Sequence, residues 1–212
     1  MKKTLLMLSL ALLLHQHSNN STKKTPIKYN TSTILSILKT DNIVTTKTTI
    51  ILKTSTWTYK DRKQVGMLFR KLVLANKEFK TLANTYSLNY RQLASVITTI
   101  AVSESSTSHG APFANNLWQR NNPFGIKGMG IRTPTVEYYG GQRYEVVCSF
   151  QSYTTVDNAI STLLQLWESD RYLTIHTTAS PLTFFKELYN VGYYTNKEYY
   201  KVFYQIYLTI IN

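Results

Sequence analysis

Apolar residues recur at helical spacing through much of the chain, and the interruptions mark where other elements begin. Leu93, Ile97 and Ile100 fall at intervals of four and three, which is one face of a helix and predicts an element over about 90–105. Glu104 continues the same stripe one turn on. A carboxylate in line with a core stripe is costly to ionise, because desolvation disfavours the charged form and raises its pKa. A glutamate that keeps its proton near neutral pH can serve as a general acid.

The other elements follow from the same pattern. A helix is expected over about 61–86, with Asp61 near its positive end. Residues 106–135 hold Pro112, Pro123 and Pro134 with several glycines and read as one long irregular stretch, a feature usually tied to function. Alternating β-branched and aromatic residues on either side of Gly140-Gly141 predict a hairpin over about 134–153. Three more helices are expected over about 156–169, 181–189 and 197–210, with Ser180 as N-cap and Pro181 in the first turn. The result is an α+β chain, mainly α, with a small hairpin set between helices and no internal repeat.

The N-terminal part differs. Lys2 and Lys3 precede an apolar run from Thr4 to Leu14 and a polar tail, the form of a secretory leader and too short to span a bilayer as a helix. No small-x-small cleavage pattern follows, so the leader is either removed or retained as an anchor. Export to the periplasm or cell surface is expected over residues 1–17. Residues 18–60 form a basic Thr/Lys/Asn-rich linker with room for one or two strands, and 61–212 form the main domain. Of the net charge of +13, nearly all lies in residues 1–80, with 15 basic and 3 acidic side chains, against 9 and 8 in the rest. A basic arm is attracted to any polyanion, whether anionic wall polymer, membrane or nucleic acid. The near-neutral main domain argues against specific nucleic-acid binding.

Sixteen tyrosines among 13% aromatics suit either a helical core or a surface for flat hydroxylated ligands such as sugars. Cys148 is the single cysteine, so no intrachain disulfide can form, and its apolar run predicts a small core residue. His15, His17, His109 and His176 lack ligand spacing. No metal site and no cofactor are expected.

Four segments in order carry a resemblance: Glu104-Ser105, Asn121-Asn122-Pro123-Phe124-Gly125-Ile126-Lys127-Gly128, Phe150-Gln151-Ser152-Tyr153, and Val191-Gly192-Tyr193-Tyr194-Thr195-Asn196-Lys197-Glu198-Tyr199. Over about 62–212 the chain resembles the bacterial and phage glucosaminidase family of peptidoglycan hydrolases, which includes flagellar rod-cap muramidase-like and autolysin domains. The resemblance implies a lysozyme-like fold, with a helical lobe and a small β-hairpin lobe flanking a cleft. It implies an endo-β-N-acetylglucosaminidase acting as a monomer on the peptidoglycan glycan strand. Glu104 matches the family's general acid, Glu137 the second carboxylate on the hairpin, and Tyr199 a tyrosine near the reacting sugar. The chain departs from the family at Ser106-Thr107-Ser108, where glycine–tryptophan–glycine is usual, and at Pro123. Trp118 is the candidate to replace the missing cleft aromatic.

In this reading Glu104 protonates the leaving oxygen, while Glu137 activates water or stabilises the oxocarbenium-like transition state. Asn122, Phe124, Gly125, Lys127 and Tyr193 are candidate substrate contacts, with Gly125 admitting the sugar to the backbone. Each has a structural alternative. Glu104 could pair with Arg120 or Lys127, Glu145 could replace Glu137, and Phe124, Tyr193 and Tyr199 could be core aromatics. A lytic transglycosylase, a non-catalytic wall-binding or virion structural protein, and a nucleic-acid-binding protein are the competing functions.

Overall fold

The computed structural model describes residues 59–106 and 115–211. The leader and the strands expected in the linker fall outside these residues.

Helix α1 spans Tyr59–Ala75 and α2 spans Lys77–Leu82, followed by a 3-10 turn at Ala83–Thr85. The single helix expected over 61–86 is therefore corrected. Asn76 takes an extended ψ of 135° and caps α2 by accepting from the Phe79 N–H. Its amide donates to Asp157 Oδ1 at 2.7 Å and to Ser161 Oγ at 3.1 Å. A side chain that satisfies a new helix start and a neighbouring helix makes a break more favourable than continuation.

Helix α3, Tyr90–Glu104, opens with a capping box between Asn89 and Gln92, and every residue from Leu93 to Val102 is buried. Such a helix needs its polar side chains satisfied locally. Ser95, Thr98 and Thr99 donate to the carbonyls four residues back at 2.8–2.9 Å. Around α3 pack α1, α6 (Pro181–Asn190) and α7 (Tyr199–Ile211). Gly66 of α1 lets α7 close in, since a Cβ there would stand 3.0 Å from Ile210. Helix α4, Val156–Trp167, lies against α2. A one-turn helix α5, Leu173–His176, was not legible in the sequence. Ser180 caps α6 and Pro181 occupies its first turn as expected. Each large apolar side chain buried in this core contributes roughly 1.5–3 kcal/mol. No helix among the described residues is long and apolar enough to cross a membrane.

Strands β1, Gly130–Tyr139, and β2, Gln142–Gln151, form one antiparallel hairpin. Both turn glycines have positive φ, 59° at Gly140 and 82° at Gly141, the pair required by a type I′ turn. The hairpin begins four residues earlier than expected and takes in Pro134. The Tyr138 N–H points away from β2, to Thr195, and Pro134 shares that parity, so its missing N–H removes no ladder bond. Two strands alone are marginal in water. This pair is tied down at its base, where Gln151 N donates to Ile126 O at 2.9 Å and Gly128 N to Ser149 O at 3.1 Å. Cys148 is half-buried on the hairpin, not a core residue, because β2 has one face open over much of its length. The architecture is the expected one, mainly helical with a small β-hairpin lobe.

Candidate active site

Glu104 is the last residue of α3. The helix ends there because Ser105 and Ser106 turn their hydroxyls back to the carbonyls of Ala101 and Val102, and Asn115 donates to Glu104 O at 2.7 Å. The negative end of a helix dipole opposes a carboxylate charge. Glu104 is half-buried, enclosed by protein with a window to solvent. Burial first, then the nearby charge of Glu137, push its pKa up to about 7, with Lys127 opposing. The alternative pairing with Arg120 or Lys127 is excluded: among the described residues Glu104 has no ion pair, and Lys127 binds elsewhere.

Glu137 is the most buried residue of β1, 7% exposed. Both of its oxygens are occupied. Lys127 Nζ donates to Oε1 at 2.6 Å, and Thr195 Oγ1 donates to Oε2 at 2.8 Å. Thr195 also accepts from Tyr138 N at 3.0 Å, which staples the hairpin to the loop between α6 and α7. Burial works against the Lys127 charge, and the hydrogen bond and charge of Glu137 outweigh it, so its pKa is raised. Lys127, expected as a substrate contact, stands here as the partner of Glu137. The fallback Glu145 pairs across the ladder with Val136, on the opposite face from Glu137. It is bound to Arg143 at 3.0 Å with its side chain 77% exposed, and it is no part of the site.

Tyr199 opens α7 beside Tyr194, with ring centroids 5.9 Å apart. It is 39% exposed, and its pKa is raised by burial first and then by Glu104, Tyr138 and Glu137. It therefore lies within electrostatic reach of both carboxylates. Tyr193 donates to Phe124 O at 3.0 Å and packs edge-on against Trp167 and Tyr172. Burial and the charge of Glu104 raise its pKa strongly. Its hydroxyl is committed to holding the loop rather than open to a ligand.

The loop before β1 holds the other expected residues, each with a structural task of its own. Asn122 is fully buried, and its amide is spent on Ile126 N, Ile126 O and Gln151 O at 2.9–3.0 Å. Both of its N–H donors are spent on folding the loop. Phe124 is a core residue set edge-on to Phe69 at 6.1 Å. Trp118 packs on the same Phe69 at 6.3 Å and is buried, so it does not replace a cleft aromatic. Gly125 has φ of 63°, and a Cβ there would touch Glu104 Oε2 at 3.4 Å. The backbone conformation calls for glycine, and it places this turn of the loop against the acid. Thr195 was missed; it stands inside the Tyr193–Tyr199 segment, but nothing in its spacing points to a residue on a distant strand.

The glucosaminidase family model, described as mannosyl-glycoprotein endo-beta-N-acetylglucosaminidase, matches residues 80–210. The chain belongs to the glucosaminidase family. The solved structures similar to this chain include the catalytic domain of the autolysin Auto from Listeria monocytogenes, 14% identical, covering 88% of this chain and 99% of that one with a TM-score of 0.50. A peptidoglycan hydrolase mutant from Sphingomonas sp. A1 is 22% identical over 65% of this chain and 92% of its own, with a TM-score of 0.49. A truncated glycoside hydrolase domain of FlgJ from Salmonella typhimurium is 22% identical over 67% and 97%, with a TM-score of 0.41. No curated protein matches the chain. Family membership makes the protein a hydrolase of glycosidic bonds, and the fold shared with the Listeria domain is lysozyme-like.

Proposed function

We propose that the protein is an endo-β-N-acetylglucosaminidase that cleaves the β-1,4 bond on the reducing side of N-acetylglucosamine in the peptidoglycan glycan strand. The observation that carries the reading is Glu104, whose pKa is pushed up to about 7 beside a second carboxylate. A glycosidase needs one carboxyl that holds its proton until the leaving oxygen takes it, and a second that meets the positive charge developing at the anomeric carbon. Glu104 is the general acid in this reading. Glu137, held from two sides, stabilises the cation or orients the water, and Tyr199 lines the position of the reacting sugar. The names of the similar solved structures, which include a peptidoglycan hydrolase and an autolysin, favour wall glycan as the substrate.

A second reading is a lytic transglycosylase on the same fold. The engagement of both Glu137 oxygens favours it to the extent that a fully held carboxylate is a poorer base for water. The domain plan completes the proposal: a leader over 1–17 that exports the protein, a basic linker over 18–60 attracted to anionic wall or membrane, and a monomeric catalytic domain over 61–212.

Mass spectrometry of purified peptidoglycan digested by the wild type and by Glu104→Gln tests the assignment. Hydrated reducing-end N-acetylglucosamine from the wild type, and none from a folded Glu104→Gln, is the expected result. Anhydro ends would select the transglycosylase, and undiminished release by Glu104→Gln would remove Glu104 from its role.

A further inference from the structure

Residues paired across an antiparallel ladder share a face, as do residues two apart on one strand. The pairs Glu137↔Tyr144, Tyr139↔Gln142 and Thr133↔Cys148 therefore set Glu137, Tyr139, Tyr144 and Cys148 on one face of the hairpin. That face looks onto Lys127. Its ammonium bonds Glu137, and Tyr139 and Cys148 lie within its electrostatic reach.

Burial changes abruptly along this face. Glu137 is 7% exposed, whereas Tyr139 is 53% and Tyr144 43% exposed. The two rings lie 5.7 Å apart at 51° to each other, an open V that leaves ring surface free. The Tyr144 hydroxyl donates to Gln142 Oε1 at 2.8 Å, which fixes the orientation of that ring. Isolated exposed aromatics need no explanation. Two side by side, one strand repeat from a buried carboxylate and on its face, form a surface with a chemical preference. A pyranose has a flat C–H face bordered by hydroxyls, and a tyrosine offers the matching apolar face and polar edge. Two residues of strand span roughly 7 Å, comparable with the step from one sugar to the next.

We propose that Tyr139 and Tyr144 form a stacking subsite for one pyranose of a glycan chain, next to the sugar that faces Glu137. The subsite rests on the glycan-cleaving reading of the site and extends it to a specific contact at the hairpin tip. It grips chains long enough to reach from the site to the tip.

The test titrates chitohexaose and chitotriose into the full-length Glu104→Gln protein by calorimetry, so that the probe survives. Replacing both tyrosines by alanine is expected to weaken chitohexaose about ten-fold, the scale of one lost aromatic contact, and to erase its advantage over chitotriose. A Tyr139→Phe/Tyr144→Phe pair keeps the affinity. A Tyr139→Leu/Tyr144→Leu pair, which preserves apolar packing across the hairpin without a flat ring, loses it. Val147→Ala, on the outer face, serves as the hairpin control and leaves binding unchanged. Parent-like chitohexaose affinity in the alanine or leucine pair overturns the subsite, as does failure of the Glu104→Gln protein to bind chitohexaose. Failure of the catalytic reading gives a different signal, because the wild type would then release no reducing ends from peptidoglycan, or Glu104→Gln would release as many, whatever the affinity for chitohexaose.

Discussion

Helix α3 and the β1–β2 hairpin each bring one carboxylate to the site, from opposite extremes of packing. Every α3 residue from Leu93 to Val102 is buried, and Glu104 at its end has no ion pair among the described residues. The hairpin is half open to solvent, yet Glu137 on it receives both an ammonium and a hydroxyl donor. The rigid element carries the unpartnered acid and the light element carries the partnered one. The division makes physical sense. An acid that must keep its proton needs low dielectric and the absence of a counter-charge, which a packed core provides. A carboxylate on a two-stranded ribbon needs fixed partners to hold its position, which packing there does not supply.

The sharpest way to break this contrast is at the hairpin carboxylate. Glu137→Gln is expected to lower kcat on peptidoglycan by about a hundred-fold, whereas Glu145→Gln on the other face changes it less than about two-fold. Parity between the two variants would dissolve the distinction between inner and outer face. Thr195→Val removes one of the two holders of Glu137 and is expected to cost about ten-fold in kcat with little change in KM, with Thr195→Ser restoring most of it. Lys127→Met tests the electrostatic side. Lys127 lowers the Glu104 pKa and Glu137 raises it, so loss of the ammonium moves the alkaline limb of the kcat profile to higher pH and Glu137→Gln moves it lower. A limb that stays near pH 7 in both variants would mean that Glu104 does not set it.

The smallest expected effect is on stability. Glu104 goes from an ordinary 4.5 to about 7 on folding, so between those values the folded chain binds more proton than the unfolded one. Stability therefore falls as pH rises through that window. Glu104→Gln escapes the penalty. It is expected to exceed the wild type by on the order of 1–3 kcal/mol above pH 7, with the difference gone below pH 4.5, as read by urea unfolding at both extremes. Equal stability at every pH would mean that the acid is better solvated than its position implies.

Much of the fold was legible in the chain because its signals are local. The α3 stripe, Ser180 with Pro181, and the Gly140-Gly141 turn each specify an element from a few neighbouring residues. Glu104 was legible for the same reason, as a charge out of place in an apolar repeat. The break at Asn76 was hidden because the apolar spacing runs through it and the deciding bonds go to Asp157 and Ser161. Thr195 was hidden because its partner lies 58 residues away. Asn122 shows a second demand on a polar loop residue. A polar residue in a glycine-containing loop suggests a ligand contact, but a buried loop must first satisfy its own N–H and C=O groups, and that demand consumed the amide.

Gly125 has a consequence for access to the acid. Its positive φ and the 3.4 Å approach of an added methyl to Glu104 Oε2 mean that any side chain here would be strained and would lie in van der Waals contact with the carboxyl. Substitution would narrow the opening through which a leaving oxygen reaches the proton, and would strip water from Glu104 at the same time. Raising the acid's reluctance to ionise and barring its customer would then come from one added carbon. In the proposed role of Glu104 as general acid, position 125 thus limits how far the site can be tuned toward a stronger hold on its proton before it stops delivering it.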